Sequence, residues 1–277
     1  MTPRAFPFVD LDLAKRLEAT EGHANAKFVE SRARRTPETG ACWIEVAGTY
    51  GLFDGAGSPC TQTFRLGMFE PVTETALDTL ETFFASRGSD TFHEVSPLAD
   101  PSALTVLTTR GYRPCELTSV LFQPLPVPEV DLASESPIVL GRIAPTEQAM
   151  WAETAGRGWG ASAELREFMS SFGSISAGAE DTYPFLARLD GAPVATGSLV
   201  ICNDVALLAG ASTVPEARGR GAQRALLAAR LRFASSMGCT IAMMCAAPGS
   251  SSQRNAERSG FRIAYTRIKW HKASAGT

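Results

Sequence analysis

Histidine is scarce in this sequence, with three residues in 277. None stands at metal-ligand spacing from a cysteine, and the six cysteines (42, 60, 115, 202, 239 and 245) form no C-x-x-C pair. Neither a metal site nor a disulfide framework is expected, and the thiols read as reduced and buried. No apolar run approaches the length of a membrane span, so no membrane association is expected. The N-terminus lacks a basic flank followed by a long apolar core. No signal peptide is therefore expected, and the cytoplasm is the expected compartment. A net charge of −3 provides no overall basic field, which argues against a nucleic-acid partner. Any anion must be held by a local group of arginines.

What the chain does have is length enough for two domains. Prolines 124, 126, 128 and 137 stand among acidic residues and serines, where they stop regular ladders and stiffen the chain. The expected organisation is a domain at 1–125, a Pro-rich linker at 126–136 and a domain at 137–277. In the first domain the pattern predicts two helices over 11–35, broken near Gly22, then strands at 42–50 and 61–68 around an Asp54-Gly55 turn. Ala76, Leu77, Leu80, Phe83 and Phe84 share one face of a helix over 73–87, which Gly88 stops. A strand at 91–95, a helix at 101–110 ended by Gly111-Tyr112, and a strand at 117–123 complete this part.

The second domain opens with a strand at 137–143 and helices at 147–158 and 162–172. Strands at 183–189 and 193–202 flank Asp190-Gly191, a hairpin signal. An apolar strand at 205–214, a helix ending at Gly238, a strand at 240–245, a short helix at 250–259 ended by Gly260-Phe261, and a strand at 263–270 follow. The closing elements repeat those of the first domain: strand, long helix, Gly, strand, short helix, Gly-aromatic, strand. Gly88 and Gly238 lie 150 positions apart, and Gly111 and Gly260 lie 149 apart. An internal repeat at domain scale accounts for both spacings.

Between the strand at 205–214 and its helix stands Arg218-Gly219-Arg220-Gly221-Ala222-Gln223, followed by Arg224. Glycines let a backbone approach a ligand closely, and the free N–H groups and dipole of a helix start attract phosphate. Arg218, Arg220 and Arg224 add full charges there, whereas Arg230 and Arg232 read as part of a solvated helix face. At an offset of 150, Gly219 corresponds to Phe69 and Gly221 to Pro71. The first copy is therefore expected to keep the shape without the phosphate site. A dinucleotide motif, G-x-G-x-x-G, fails because Arg224 stands where the third glycine belongs, and no acidic residue follows in Cys239 to Cys245. A P-loop motif is absent.

Val214-Pro215-Glu216-Ala217-Arg218-Gly219-Arg220-Gly221-Ala222-Gln223 resembles the main motif of the GNAT superfamily of acetyltransferases, Arg/Gln-x-x-Gly-x-Gly/Ala after an apolar strand. Gly260-Phe261 and the element order of 137–272 are similar to that family too, and the first half resembles the same fold more weakly. The resemblance implies an α/β (mixed α+β) chain of two tandem GNAT-like domains, each a twisted mixed sheet flanked by helices, with a degenerate N-terminal copy. It implies acetyl-CoA or another acyl-CoA as donor, no metal, and a small-molecule or peptide amine as acceptor, the protein acting as monomer or homodimer. Ser212, Thr213 and Val214 would pair with the pantetheine arm. Arg218, Gly219, Arg220, Gly221, Ala222, Gln223 and Arg224 would hold the pyrophosphate, and Ser252 and Asn255 would contact the distal part of CoA.

Two departures from the family pattern stand out. Gln223 replaces a usual Gly or Ala but keeps its backbone N–H. Ala256 occupies the position of the family's usual Tyr, which protonates the departing thiolate, so no general acid carries over. Glu153, on the first helix of the second domain, is the candidate base. Trp151 and Trp159 suit either an acceptor pocket or a core. Cys245 reads as a structural thiol and His271 as an exposed strand end. The expected activity is acyl transfer to an amine in a ternary complex. The alternative is an acyl-CoA-binding or structural protein without transferase activity.

Overall fold

The computed structural model describes residues 5–127, 137–160 and 162–274. Of the Pro-rich linker expected at 126–136, residues 128–136 lie outside the described residues. In chain order the first half gives α1 (Leu11–Arg35), β1 (Cys42–Val46), β2 (Thr49–Phe53), β3 (Gln62–Phe64), α2 (Glu74–Ala85), β4 (Thr91–Val95), α3 (Ser102–Thr109) and β5 (Arg113–Pro124). The second gives β6 (Ile138–Arg142), α4 (Gln148–Trp159), α5 (Ala163–Ala177), β7 (Thr182–Leu189), β8 (Ala192–Cys202), β9 (Val205–Thr213), α6 (Ala222–Ser236), β10 (Ile241–Ala246), α7 (Ser251–Arg258) and β11 (Arg262–Lys272).

The repeat read from glycine spacing appears as four equivalent helix stops. Gly88 and Gly238 follow α2 and α6 with φ of 65° and 85°. Gly111 and Gly260 follow α3 and α7 with φ of 79° and 93°. Each is in the left-handed conformation that ends helices at little cost only for glycine.

Three first-half expectations are corrected. α1 runs unbroken through Gly22. A Cβ at that position would lie 2.8 Å from Arg65 Cδ, so the glycine serves close packing rather than a break. The strand expected at 42–50 is a hairpin, because Ala47 and Gly48 both adopt positive φ, 48° and 70°. That geometry matches the twist of a two-residue hairpin turn. The strand expected at 61–68 is confined to 62–64, since Arg65 and Gly67 both turn to a φ of 72°.

The chain forms two compact units, and their membership does not follow its midpoint. One comprises Phe8–Phe122 with Cys245–Thr277, and the other Met1–Pro7 with Gln123–Met244. The sheet of the first runs β1-β2-β3-β4-β11-β5. β3 and β4 are parallel, and the other pairs are antiparallel. β11 thus lies between two strands made from the first half of the chain. It also supplies Trp270 to the core of Leu66, Val72, Leu77, Leu80, Val95, Leu107 and Tyr112.

Arg267 of β11 and Glu18 of α1, both 0% exposed, face each other at 3.1 Å. Arg267 also pairs with Glu21, and the Tyr265 hydroxyl donates to Glu18 at 2.8 Å. Burial lifts the Glu18 carboxyl from 4.5 to about 7, against the pull of Arg267. A carboxyl raised on folding contributes stability that is fully present below its unfolded value and is lost as pH rises through the folded one. Between pH 4.5 and about 7, the wild type is therefore expected to lose stability relative to Glu18→Gln, which cannot titrate there. Denaturant unfolding of both proteins across this window checks the slope, and a constant difference between them counts against it.

The second unit has the strand order β6-β7-β8-β9-β10. β6 to β9 are antiparallel neighbours, β9 and β10 are parallel, and Asp190-Gly191 makes the β7–β8 turn with both φ positive, as expected. Trp151 of α4 packs with Ala155, Ala177 and Leu186, and its indole N–H donates to Phe185 O at 2.8 Å. It is a core residue, while Trp159 is exposed.

Candidate functional site

β9 has a different partner along each of its edges. It pairs with β8 from Val205 to Thr213. Its ladder to β10 covers only Val205, Ala206 and Leu207, opposite Ile241, Ala242 and Met243. The β9–β8 register slips between Thr196↔Ser212 and Ser198↔Ala209, so that Gly210 and Ala211 together oppose Gly197. This is a β-bulge, with Gly210 at a φ of 61°. Ala209, Gly210 and Ala211 are exposed, and Ser212 is buried with its hydroxyl 2.8 Å from that of Thr196.

After β9, the Val214 N–H donates to Val194 O at 3.0 Å and a short turn covers Pro215–Ala217. Gly219 and Gly221 then adopt φ of 75° and 85°. Gly221 is the N-cap of α6 and, having no side chain, provides no side-chain cap. The first backbone N–H groups of a helix have no partner within it. Those of Ala222, Gln223 and Arg224 are thus presented beside the exposed Arg220 and Arg224, which make no ion pair among the described residues. Ala222 itself is buried.

Two of the sequence-identified residues spend their side chains on the scaffold. Arg218 donates to Gly158 O at 2.9 Å and to Thr213 O at 3.3 Å. Gln223, where the resemblance expects Gly or Ala, donates through Nε2 to Thr196 O at 3.2 Å, to Thr213 Oγ1 at 3.0 Å and to Ser212 O. Its side chain ties the first turn of α6 to β8 and β9 while its backbone N–H remains at the helix start.

The corresponding turn of the other unit shows the contrast. Thr73 caps α2, its hydroxyl accepting from Ala76 N at 3.1 Å. Val72 N donates to Ser102 Oγ at 2.8 Å. Arg65 lies over the rings of Tyr50 and Phe69, 4.1 and 4.3 Å from their centroids. Here Thr73 caps one N–H of the helix start, and Phe69 and Pro71 stand in place of the glycines.

Arg230 corrects the reading of a solvated face. Arg232 is exposed, but Arg230 is 3% exposed and donates to Leu226 O at 3.3 Å, Ser198 O at 3.0 Å and Ala209 O at 3.3 Å. The sequence does carry a signal: Leu226, Arg230 and Ala234 recur every four residues on the buried face of α6.

Glu153 is exposed on α4 and makes no ion pair among the described residues. Ser252 and Asn255 are exposed on α7, which belongs to the unit of 8–122 and 245–277. Ala256 is 2% exposed on the same helix. None of the six cysteines, all of them described residues, is in a disulfide. Cys60 and Cys239 are buried, whereas Cys115 is exposed, contrary to the expectation of buried thiols throughout. Cys245 is half-buried against Glu21 and Arg267. His271 is not a free strand end: it stacks on Phe92 and lies 2.9 Å from Asp90. Among the described residues no group of His, Cys, Asp or Glu could hold a metal ion. No described helix is long and apolar enough to cross a membrane.

A mixed sheet flanked by helices, with an open-edged strand running into a glycine turn at a helix start, is the arrangement that the sequence resemblance implies. Residues 148–261 match the model of the Acetyltransferase (GNAT) family. A search of curated proteins finds no match. Among solved structures, the chain is similar to a GCN5-related N-acetyltransferase from Kribbella flavida, at 20% identity over 96% of both chains with a TM-score of 0.64. It is also similar to a tandem GNAT protein from the clavulanic acid biosynthesis pathway, at 13% identity over 98% of both chains with a TM-score of 0.60. A third likeness is to a GCN5-related N-acetyltransferase from Sphaerobacter thermophilus, at 18% identity over 76% of this chain and 71% of that one with a TM-score of 0.54. At these identities the structures support the fold, and the tandem fold spans nearly the whole chain.

Proposed function

We propose that the GNAT domain moves an acetyl or other short acyl group from acyl-CoA to an amine of a small molecule or peptide, by direct attack in a ternary complex in the cytoplasm. The observation that carries this reading is the start of α6. It has no side-chain cap, left-handed glycines before it and two exposed arginines beside it, while the equivalent start of α2 is capped by Thr73. Such a helix start fits a pyrophosphate, which brings acceptors and negative charge to unpaired donors. Arg218 and Gln223 act by holding the turn in shape. The assignment of Ser252 and Asn255 to CoA rests on the family resemblance.

The remaining chemistry follows from β9. Beyond Leu207 its edge lacks the β10 ladder, so its peptide groups can pair with the amides of a pantetheine arm. N–H groups at the bulge would stabilise the negative charge that develops on the thioester oxygen. The attacking amine must shed a proton, its free pKa being about 10.4, and Glu153 is the proposed base. Ala256 puts a methyl where the resemblance expects a phenol. A thiolate, however, whose conjugate thiol has a pKa of about 8.5, leaves without prior protonation.

Calorimetry with acetyl-CoA tests donor binding, and thiol release in the presence of a panel of primary amines tests transfer. Binding with amine-dependent release of CoA is expected. Binding without release favours the alternative suggested by Ala256, an acyl-CoA-binding protein, and no binding removes both readings. For Glu153→Gln a fall in rate at neutral pH of about a hundredfold, within the usual range for a general base, is expected. An unchanged rate excludes that role.

A further inference from the structure

Arg230 is a buried cation whose three hydrogen-bond acceptors are all backbone carbonyls, with no carboxylate among them. Burial draws its pKa down to about 10, so it is charged at neutral pH. Gly197 makes room for it, since a Cβ there would lie 2.7 Å from Arg230 Cζ. Gly197 is also the residue opposite the β9 bulge. The guanidinium therefore sits against the one irregular step of the β8–β9 ladder.

One nitrogen, Nη1, reaches both Ser198 O and Ala209 O. Both carbonyls must then point into the gap between β8 and β9. A trans peptide is planar, with C=O and N–H directed oppositely. The peptide joining Ala209 to Gly210 consequently sends its N–H away from β8, to the edge of β9 that β10 no longer covers. A hydrogen bond from a charged donor to the carbonyl end polarises the N–H end of the same peptide, and low-dielectric surroundings strengthen the effect.

We propose that Arg230 is a positioning residue for acyl transfer: from behind β9 it fixes the bulge and makes the Gly210 N–H a stronger donor to the thioester carbonyl of the bound acyl-CoA. The inference rests on the acyl-CoA reading of β9. It gives a residue that touches neither substrate a part in stabilising the transition state. It also explains why α6 buries a charge where leucine would pack at no electrostatic cost.

The test uses acetyl-CoA labelled isotopically at its carbonyl and bound to the full chain, with the carbonyl stretch read by difference infrared spectroscopy. In the wild type the bound band is expected below its frequency in water. In Arg230→Met it should return toward the free value while affinity for acetyl-CoA is kept. With an accepting amine, kcat should fall about tenfold to a hundredfold without a matching rise in KM, a little less than the loss of a direct oxyanion donor. Arg230→Lys and Arg230→Gln keep a donor with and without charge, and they decide the matter if the methionine variant does not fold. Retention of the band shift by Lys and its loss in Gln supports the proposal, and equal behaviour of the two overturns it. Intact binding with a band unmoved by Arg230→Met also overturns the role of Arg230 while leaving the acyl-CoA reading in place. Failure of the wild type to bind acetyl-CoA overturns both.

Discussion

Ending the chain after Ser259 is expected to unfold the unit built from residues 8–122. β11 pairs with β4 from Thr91 to Val95 and with β5 from Arg113 to Phe122. Its removal leaves two interior strands with unpaired edges and opens the core at Trp270. It also removes Arg267 and leaves the Glu18 carboxyl buried without its cation. Losing one partner of a buried ion pair costs about 3–5 kcal/mol by itself, against a total of about 5–15 kcal/mol for a typical domain. Circular dichroism and limited proteolysis of the truncated chain would show the loss. A peptide spanning 262–274, added in trans, is expected to restore protection. A truncated protein in which 8–122 still unfolds cooperatively at the full-length midpoint would sink the prediction. Arg267→Met is the milder form of the experiment, expected to lower stability without abolishing the fold.

The second large effect is expected at Gly221. Its φ of 85° is one that L-residues adopt only at a cost, and a Cβ placed there would have no atom within 4 Å. Gly221→Val therefore meets no clash at its Cβ, and the penalty argued for it is conformational. The left-handed region costs an L-residue roughly 1–2 kcal/mol, and more for a β-branched one. The turn would relax away from the shape that presents the α6 donors, and a branched side chain would stand at the helix start. Acetyl-CoA affinity is expected to fall by about tenfold to a hundredfold, each factor of ten being about 1.4 kcal/mol. Titration calorimetry measures the drop, and thermal unfolding should show only a small fall in midpoint. Wild-type affinity in the valine variant would remove the helix start from the donor site.

Legibility in the sequence follows the range of the interaction. α2 and β4 can be placed because their signals are local: an apolar face at helical spacing and a short β-rich run. The Asp190-Gly191 turn and the four terminating glycines can be read for the same reason, since left-handed geometry names its own residue type. Gly22 reads falsely as a break because its cause, Arg65, lies 43 positions away and is brought beside it only by folding. The Ala47-Gly48 turn is hidden inside a run of strand-forming residues, because Ala carries no turn signal. The start of α6 is visible from composition alone, whereas the scaffold role of Gln223 depends on carbonyls of two strands. The swap of polar and apolar roles at Arg230 becomes legible once the face shared with Leu226 and Ala234 is known to be buried.

The place of β11 also sets an order in time. A chain is synthesised from its N-terminus, and domains commonly fold as they emerge. Here the unit that starts at Phe8 cannot close its sheet until Lys272 has been made, because the strand between β4 and β5 is translated after residues 123–244 of the other unit. α1 must hold Glu18 ready for an arginine 249 positions downstream. Residues 8–122 thus finish folding only after residues 123–244 have been made, and synthesis that stops short of β11 leaves 8–122 unable to pass as native.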